Sequence, residues 1–516
     1  MQVGLQRIIA RTSDDAMIDQ GQQSIVTGIE MPGPYKIVAA TSFGVFLSAL
    51  DSSIVNVSLV TMATSLSVEM AEIQWVVLSY LLIMTSFMPL MGKFGDRFCK
   101  TKVFQWGMIF FVIGSLFCAL SPTLQFLLIS RIFQAFGASM MSANGLALVT
   151  YFTTPKNRGR AIGLSSIVLA AALALGPVLG GFLSEFFGWQ SIFLINLPIG
   201  VVGFLVVWAT IPETECVHEV RFDTAGALLF LTFLFTLIFG VSIMGTIPVF
   251  PDLILLLAIF LVSFIAFIIR ERTFITPIIP MNVLADRRIS TSIFSALLAY
   301  MSLVPVSFLL PFYLQDAKSF TQVATGFVLV AHPLVISVVG PFSGFVSERV
   351  TAKTQTVVGL FAQFIGLIFF GMALAGIQPM PNLTAIPWMS LILPVLGIVI
   401  LGFGLSFFSV ANSNFIMTST PREYMGVISA LTNIARTTGF SIATALVTTV
   451  FSLNFAAINT TGATSGPIYV NAYTLAFQFT VWTLAILAVF GIIISLFRGL
   501  SPAEVEKDAA REAARI

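Results

Sequence analysis

Apolar runs long enough to cross a hydrocarbon layer recur about fourteen times along the chain. They lie near 37–60, 74–92, 103–121, 124–150, 161–184, 191–211, 225–246, 253–270, 290–314, 324–346, 355–376, 388–417, 425–451 and 474–497. Each predicts a membrane-spanning helix, because ~20 residues at about 1.5 Å per residue cover a core of roughly 30 Å. An even number of spans returns both ends of the chain to one side.

The basic residues between the runs sort by side. Twenty-two of the 25 Lys and Arg fall on one face, among them Lys93, Arg97, Lys100, Lys102, Arg270, Arg272, Arg349 and Lys353. Lys318 falls on the other, and Arg131 and Arg436 fall inside runs. The positive-inside rule then puts both termini in the cytoplasm. The pattern also repeats. Gly92 with Asp96 and Arg97 recurs as Gly344 with Glu348 and Arg349, and the step from Gly163 to Gly176 recurs from Gly426 to Gly439. Two related six-helix halves follow, residues 36–211 and 290–497, with a linker over 212–289 that carries two extra helices. Residues 1–35 and 498–516 read as cytoplasmic tails. Parallel halves of this kind place a substrate site near the midplane between them.

Composition sharpens the class. The 516 residues are 57% hydrophobic and only 9% charged, with a mean hydropathy of +0.99, which excludes a soluble fold. A net charge of +2 gives no reason to expect nucleic acid. The three cysteines, Cys99, Cys118 and Cys216, imply no disulfide framework and read as small apolar fillers. No apolar run precedes Lys36, so the N-terminal stretch is a solvated tail rather than a signal peptide.

Asp51 stands near the middle of the first run, in FLSALDSSIVNVSL. An ionised group at that depth costs about 2.5 to 3.5 kcal/mol or more unless it meets a polar cavity or a partner. Arg131 is the second misplaced charge, and Gln134, Ala138, Ser142 and Gly145 follow it at helical spacing to make one polar, small-residue face. If that face turns to the first helix, Arg131 holds Asp51 ionised and proton or substrate binding breaks the pair. The alternatives are a static buried pair and two separately solvated groups. In GKFGDRFCKTK, Gly92 and Gly95 permit close helix approach, and Asp96 can accept from a helix N-terminus or an Arg. With Arg97 they read as a cytoplasmic gate, or as a topogenic charge cluster. In ALALGPVLGG, Pro177 removes a backbone donor while Gly176, Gly180 and Gly181 admit a close neighbour.

As a set, these segments resemble the major facilitator superfamily, and within it the fourteen-helix drug:proton antiporters. LDSSIVNVSL is similar to that family's first-helix motif, GKFGDRFCKTK to its cytoplasmic loop, SRIFQAFGAS to its fourth-helix motif and ALALGPVLGG to its fifth-helix antiporter motif. The resemblance covers about residues 36–497. Cys99 and Ala172 stand where the family usually has glycine. The resemblance implies two six-helix bundles with two inserted helices, all α-helical, and export of hydrophobic, often cationic compounds against proton entry. Asp51 and Arg131 become the proton-coupling pair, Gly92, Asp96 and Arg97 the gate, and Gly176, Pro177, Gly180 and Gly181 the antiporter-motif hinge.

Other intramembrane polar residues carry two readings each. Arg436 contacts substrate or snorkels to the cytoplasmic end; His332 relays protons or is a satisfied core residue. Gln134 extends the polar face of Arg131, and with His332 it is expected to line the substrate cavity. Asn144, Asn412 and Asn414 line the cavity or hold helices together. No cofactor is expected, the proton gradient being the driving force, and no metal, since only His218 and His332 are present. The expected partners are the bilayer, protons and a small hydrophobic or cationic substrate, at the plasma (cell inner) membrane. An adaptor or outer-membrane partner is not readable from the chain. A transporter of a metabolite or lipid is the neighbouring alternative. A membrane-embedded enzyme would need converging acids, histidines or cysteines that the chain does not offer.

Overall fold

A computed structural model describes residues 34–153, 155–214, 223–243, 250–274, 284–347, 349–379, 388–420, 425–460 and 462–499. Most of the two tails, together with Cys216, His218, Glu348 and Arg422, lie outside the described residues. Among the described residues fourteen long helices coincide with the fourteen apolar runs. The first bundle comprises α1 (Pro34–Leu66), α2 (Met70–Phe98), α3 (Lys100–Ala119), α4 (Leu124–Tyr151), α5 (Pro155–Phe187) and α6 (Ser191–Thr210). Next come α7 (Thr224–Ile243) and α8 (Phe250–Thr273). The second bundle comprises α9 (Arg287–Ala317), α10 (Gln322–Ser347), α11 (Ala352–Gly376), α12 (Trp388–Ser419), α13 (Met425–Ile458) and α14 (Gly466–Leu496). Thirteen of these are long and apolar enough to cross a membrane, and α7 contributes a shorter apolar stretch, Thr224–Gly240.

Several helices overrun their apolar runs. Helix α9 reaches Ala317 through two π-helical turns, Pro305–Leu309 and Tyr313–Ala317. Pro305 and Pro311 lack the amide hydrogen that a regular ladder needs, so the helix widens around them rather than ending.

Glycine sets the closest approaches, and does so alike in both halves. A Cβ on Gly137 of α4 would stand 2.6 Å from the Gly107 carbonyl oxygen of α3, and one on Gly404 of α12 2.6 Å from the Gly359 oxygen of α11. Gly107 and Gly114 of α3 therefore correspond to Gly359 and Gly366 of α11, a step of 252 residues. In the same register, the 267-residue step from Gly137 to Gly404 puts Ile398 at the place of Arg131. The second bundle thus fills that place with a buried aliphatic side chain, and among the described residues it has no counterpart of the charge pair at that position.

Helix α7 packs on α8 and also on α2 and α13, one helix from each bundle. Leu78 and Leu82 of α2, Phe230 and Leu234 of α7, Phe267 of α8 and Leu431 and Ile434 of α13 share one apolar cluster. The inserted pair is therefore a strap across both bundles. The bundles also meet at the face opposite the basic residues, the far face. There the Gln315 amide donates to Val57 O at 2.9 Å, Gln322 bonds Thr61, and the Val323 N–H donates to the Glu185 carboxylate at 2.8 Å. Gly181 and Gly326 let α5 and α10 touch backbone to backbone beside these bonds.

Candidate functional site

Asp51 lies at mid-helix in α1 and is wholly buried, as is Arg131 in α4. They form an ion pair, Arg131 Nη1 to Asp51 Oδ2 at 2.7 Å. The close packing of α3 on α4 brings a third member in. A Cβ on Gly114 would stand 2.6 Å from Gln134 Cα, and this absence of side chain lets Gln134 reach inward. Its amide nitrogen donates to Asp51 Oδ1 at 2.9 Å while its oxygen accepts from Arg131 Nη1 at 2.8 Å.

Two further helices complete the shell. Asn196 of α6 donates to Asp51 Oδ1 at 3.1 Å and to the Ser115 hydroxyl of α3 at 3.0 Å. Ser115 in turn donates to Phe193 O at 2.9 Å. Arg131 Nε donates to Val76 O of α2 at 3.1 Å, and the guanidinium stacks 4.2 Å above the Tyr80 ring. A desolvated cation over an aromatic face gains about 2 kcal/mol. Each carboxylate oxygen and three guanidinium bonds are thereby satisfied, which is the condition for keeping two charges out of water. Arg131 sits seven residues from the far-face end of α4, about 10 Å at 1.5 Å per residue, with twenty more residues before the basic face. The pair is much nearer the far face.

Asn196, Ser115 and Tyr80 were not legible as members. Their helices are apolar nearly all round, so no face could be assigned. The one available signal was the amide of Asn196 standing alone in SIFLINLPIG.

The other candidates take specific places. Gly176 and Gly180 pack on Ser53 and Ile54, two and three residues after Asp51, and the Pro177 carbonyl lies against Gly326 of α10, so the hinge segment touches both α1 and the second bundle. Gly95 is a close approach, occupied by the Asn144 amide. Gly92 is not: nothing lies within 4 Å of a Cβ built there, and the same is true of Gly344, which corrects its reading as a packing glycine. Asp96 pairs with Lys100 one turn later, rather than with an Arg or a helix end. Arg97 is exposed over the Phe98 ring. Between α2 and α3 stands Cys99 at φ 68°, a left-handed backbone that explains why glycine suits this place. Cys99 is disulfide-bonded, contrary to the filler reading, while Cys118 is free and buried beside Gln134.

Asn144 and Asn412 are buried ties. Asn144 donates to Met91 O at 3.0 Å and Met140 O at 2.9 Å, joining α2 to α4. Asn412 accepts from Arg498 Nη2 at 2.9 Å and donates to Ser292 O at 3.3 Å. Arg498 is thus no tail residue but a buried cap on the second bundle, its guanidinium 3.8 Å from the Phe415 ring. His332 is buried in α10, Asn414 is exposed, and Arg436 is half-buried, 5.9 Å from the Tyr300 ring. Among the described residues no group of three His, Cys, Asp or Glu could hold a metal ion.

The sequence profile of the Major Facilitator Superfamily matches residues 41–444. The chain belongs to the major facilitator superfamily. It is a multi-pass membrane transporter and not an enzyme. Among superfamily members it is 31% identical over 455 residues to the riboflavin transporter RibZ of Clostridioides difficile, covering 88% of this chain and 95% of that one. It is 27% identical over 417 residues to the multidrug resistance protein Stp of Mycobacterium tuberculosis, covering 80% of this chain and 75% of the relative. It is 28% identical over 417 residues to the tetracenomycin C resistance and export protein of Streptomyces glaucescens, with coverage of 80% and 75%. An inward-facing bacterial homologue of the human lysosomal transporter Spinster shares the fold, with a TM-score of 0.64 at 17% identity over 92% of this chain and 100% of that one.

Proposed function

We propose that this transporter exports hydrophobic, often cationic compounds in exchange for protons, with Asp51 as the proton site and Arg131 as its coupling partner. The observation that supports the reading is the fully buried Asp51–Arg131 pair, whose Asp51 stands on α1, the helix that also contributes to the far-face seal. Val57, whose carbonyl accepts from Gln315 across the bundles, lies six residues beyond Asp51 on α1. Protonation of Asp51 removes the charge that Arg131 holds, loosens α1 against α4, and thereby bears on the seal. A rocking of the bundles then exposes the substrate site to the other side.

In this reading the protein lies in the plasma (cell inner) membrane with both termini in the cytoplasm, a sidedness that the segregation of basic residues to one face supports. The far face is then external, and the pair's short distance from it suits a carboxylate loaded with protons from outside. The sealed conformer with the ion pair intact is the reset state of that cycle, after the proton has left inward. Gly176, Pro177, Gly180 and Gly181 act as the hinge, since they contact α1 next to Asp51 and also α10. Asp96 with Lys100 and Arg97 at the α2–α3 turn form the cytoplasmic gate. Resistance and export proteins among the relatives support this substrate class. A second reading, transport of an endogenous metabolite, is favoured by the 31% identity to a riboflavin transporter.

Everted membrane vesicles separate the two. With the vesicle interior made acidic, uptake of a lipophilic cation such as tetraphenylphosphonium, with release of protons, supports the export reading. Uptake of riboflavin with no response to lipophilic cations would replace it by the second.

A further inference from the structure

We infer that Asn196 reads the protonation of Asp51 by turning its carboxamide over. The inference rests on Asp51 being the proton site. In the ionised state the Asn196 nitrogen must face the carboxylate, because its oxygen there would repel Asp51 Oδ1; it donates at 3.1 Å. The Asn196 oxygen is left buried with no hydrogen-bond partner among the described residues, although Asn196 is fully inaccessible to solvent. A carbonyl buried away from water with no donor has lost its hydration without a replacement, so it is held in an unsatisfied state that a donor would relieve.

Protonation supplies that donor. Oδ2 is held by Arg131 Nη1 at 2.7 Å, so the proton goes to Oδ1, and the new O–H needs an acceptor. Two amides touch Oδ1. Turning Gln134 would aim its NH2 group at the guanidinium and discard the bond its oxygen accepts from Arg131 at 2.8 Å. Turning Asn196 discards no bond to its oxygen; it gives up the bonds its nitrogen donates to Asp51 Oδ1 and the Ser115 hydroxyl, and places the oxygen where it accepts the proton of Asp51. The turned oxygen also lies by the Ser115 hydroxyl, 3.0 Å from the present nitrogen position. Ser115 then has a second acceptor competing with Phe193 O, to which it now donates at 2.9 Å. The proton state of α1 is in this way passed to the junction of α3 with α6. The charged or titratable side chains facing this group are Arg131 of α4, Tyr80 of α2 and Cys118 of α3, and α6 brings none among the described residues. Asn196 is a positioning residue; it neither donates nor keeps the transported proton.

The test is infrared difference spectroscopy on the purified transporter in lipid, stepped from alkaline to acid pH, with the side-chain carbonyl of asparagine labelled with carbon-13. Two signals are expected together: a carboxylic acid band from Asp51, and a shift of one labelled amide carbonyl to lower frequency. Both vanish in Asp51→Leu. In Asn196→Leu the acid band persists but moves to the higher frequency of an acid with no acceptor. An Asp51 acid band with no labelled carbonyl shift, or an acid band unmoved in Asn196→Leu, overturns the inference and leaves Asp51 as the proton site. Absence of any Asp51 acid band overturns the proton-site reading as well. The wild-type measurement stands on its own should Asn196→Leu fail to fold.

Discussion

Glu185 on α5 accepts a hydrogen bond of 2.8 Å from the backbone N–H of Val323 at the start of α10, joining the two bundles at the far face. An anion there also meets the positive end of the α10 dipole. Such charge-assisted bonds contribute about 1.5 to 3 kcal/mol. Glu185→Ala is therefore expected to raise the population open at the far face by roughly tenfold or more. Distance distributions between spin labels on the far ends of α1 and α10 report it. An unchanged distribution would mean that Glu185 is not part of the seal.

Glycine packing gives a paired prediction. Gly114→Ala puts a methyl group 2.6 Å from Gln134 Cα and 2.7 Å from Gln134 N, which backbone cannot yield without parting α3 from α4. Overpacking of this kind costs about 1 to 3 kcal/mol or more. Gly92→Ala, with open space around it, is expected to be neutral or to gain up to about 1 kcal/mol of helix propensity. Thermal unfolding of the two variants in detergent should separate them clearly. Equal loss of stability in both would show that contact at the glycine is not the cause.

The ion pair predicts non-additivity. Arg131→Leu leaves Asp51 buried beside Gln134 and Asn196 without its counter-charge, an arrangement that costs about 3 to 5 kcal/mol. Asp51→Leu strands the guanidinium in the same way. The double variant removes both charges and should unfold at a higher temperature than Arg131→Leu alone. A double variant less stable than either single one would argue that the two charges are not coupled.

The parts of this site that could be read beforehand are those where a residue type conflicts with its surroundings. Asp51 and Arg131 each stand as a lone charge in an apolar run, and the spacing from Arg131 to Gln134 is one helical turn, so that side of the cluster is explicit. Asn196 and Ser115 are neutral, sit on two other helices, and conflict with nothing locally; only the packing shows that they converge on one carboxylate. Glycine misled for a related reason. The residue marks freedom from a side chain, not the presence of a neighbour, and Gly92 and Gly114 look alike until the opposing helix is in place. Gly114 and Gly137 matter because α3 and α4 run against each other in a register that periodicity does not encode. Arg498 follows the same rule: on a hydropathy scale it belongs to a tail, yet Asn412, Thr356 and Phe415 form a buried seat for it.

The central assignment is tested most directly in proteoliposomes that carry an imposed pH gradient. Wild-type protein should accumulate a lipophilic cation against its concentration gradient when the interior is acid, and should also exchange labelled for unlabelled cation with no gradient. Asp51→Asn, which keeps the shape of the side chain, should retain the exchange and lose the pH-driven accumulation. Accumulation by Asp51→Asn that still scales with the pH gradient would contradict the assignment of Asp51 as the proton site.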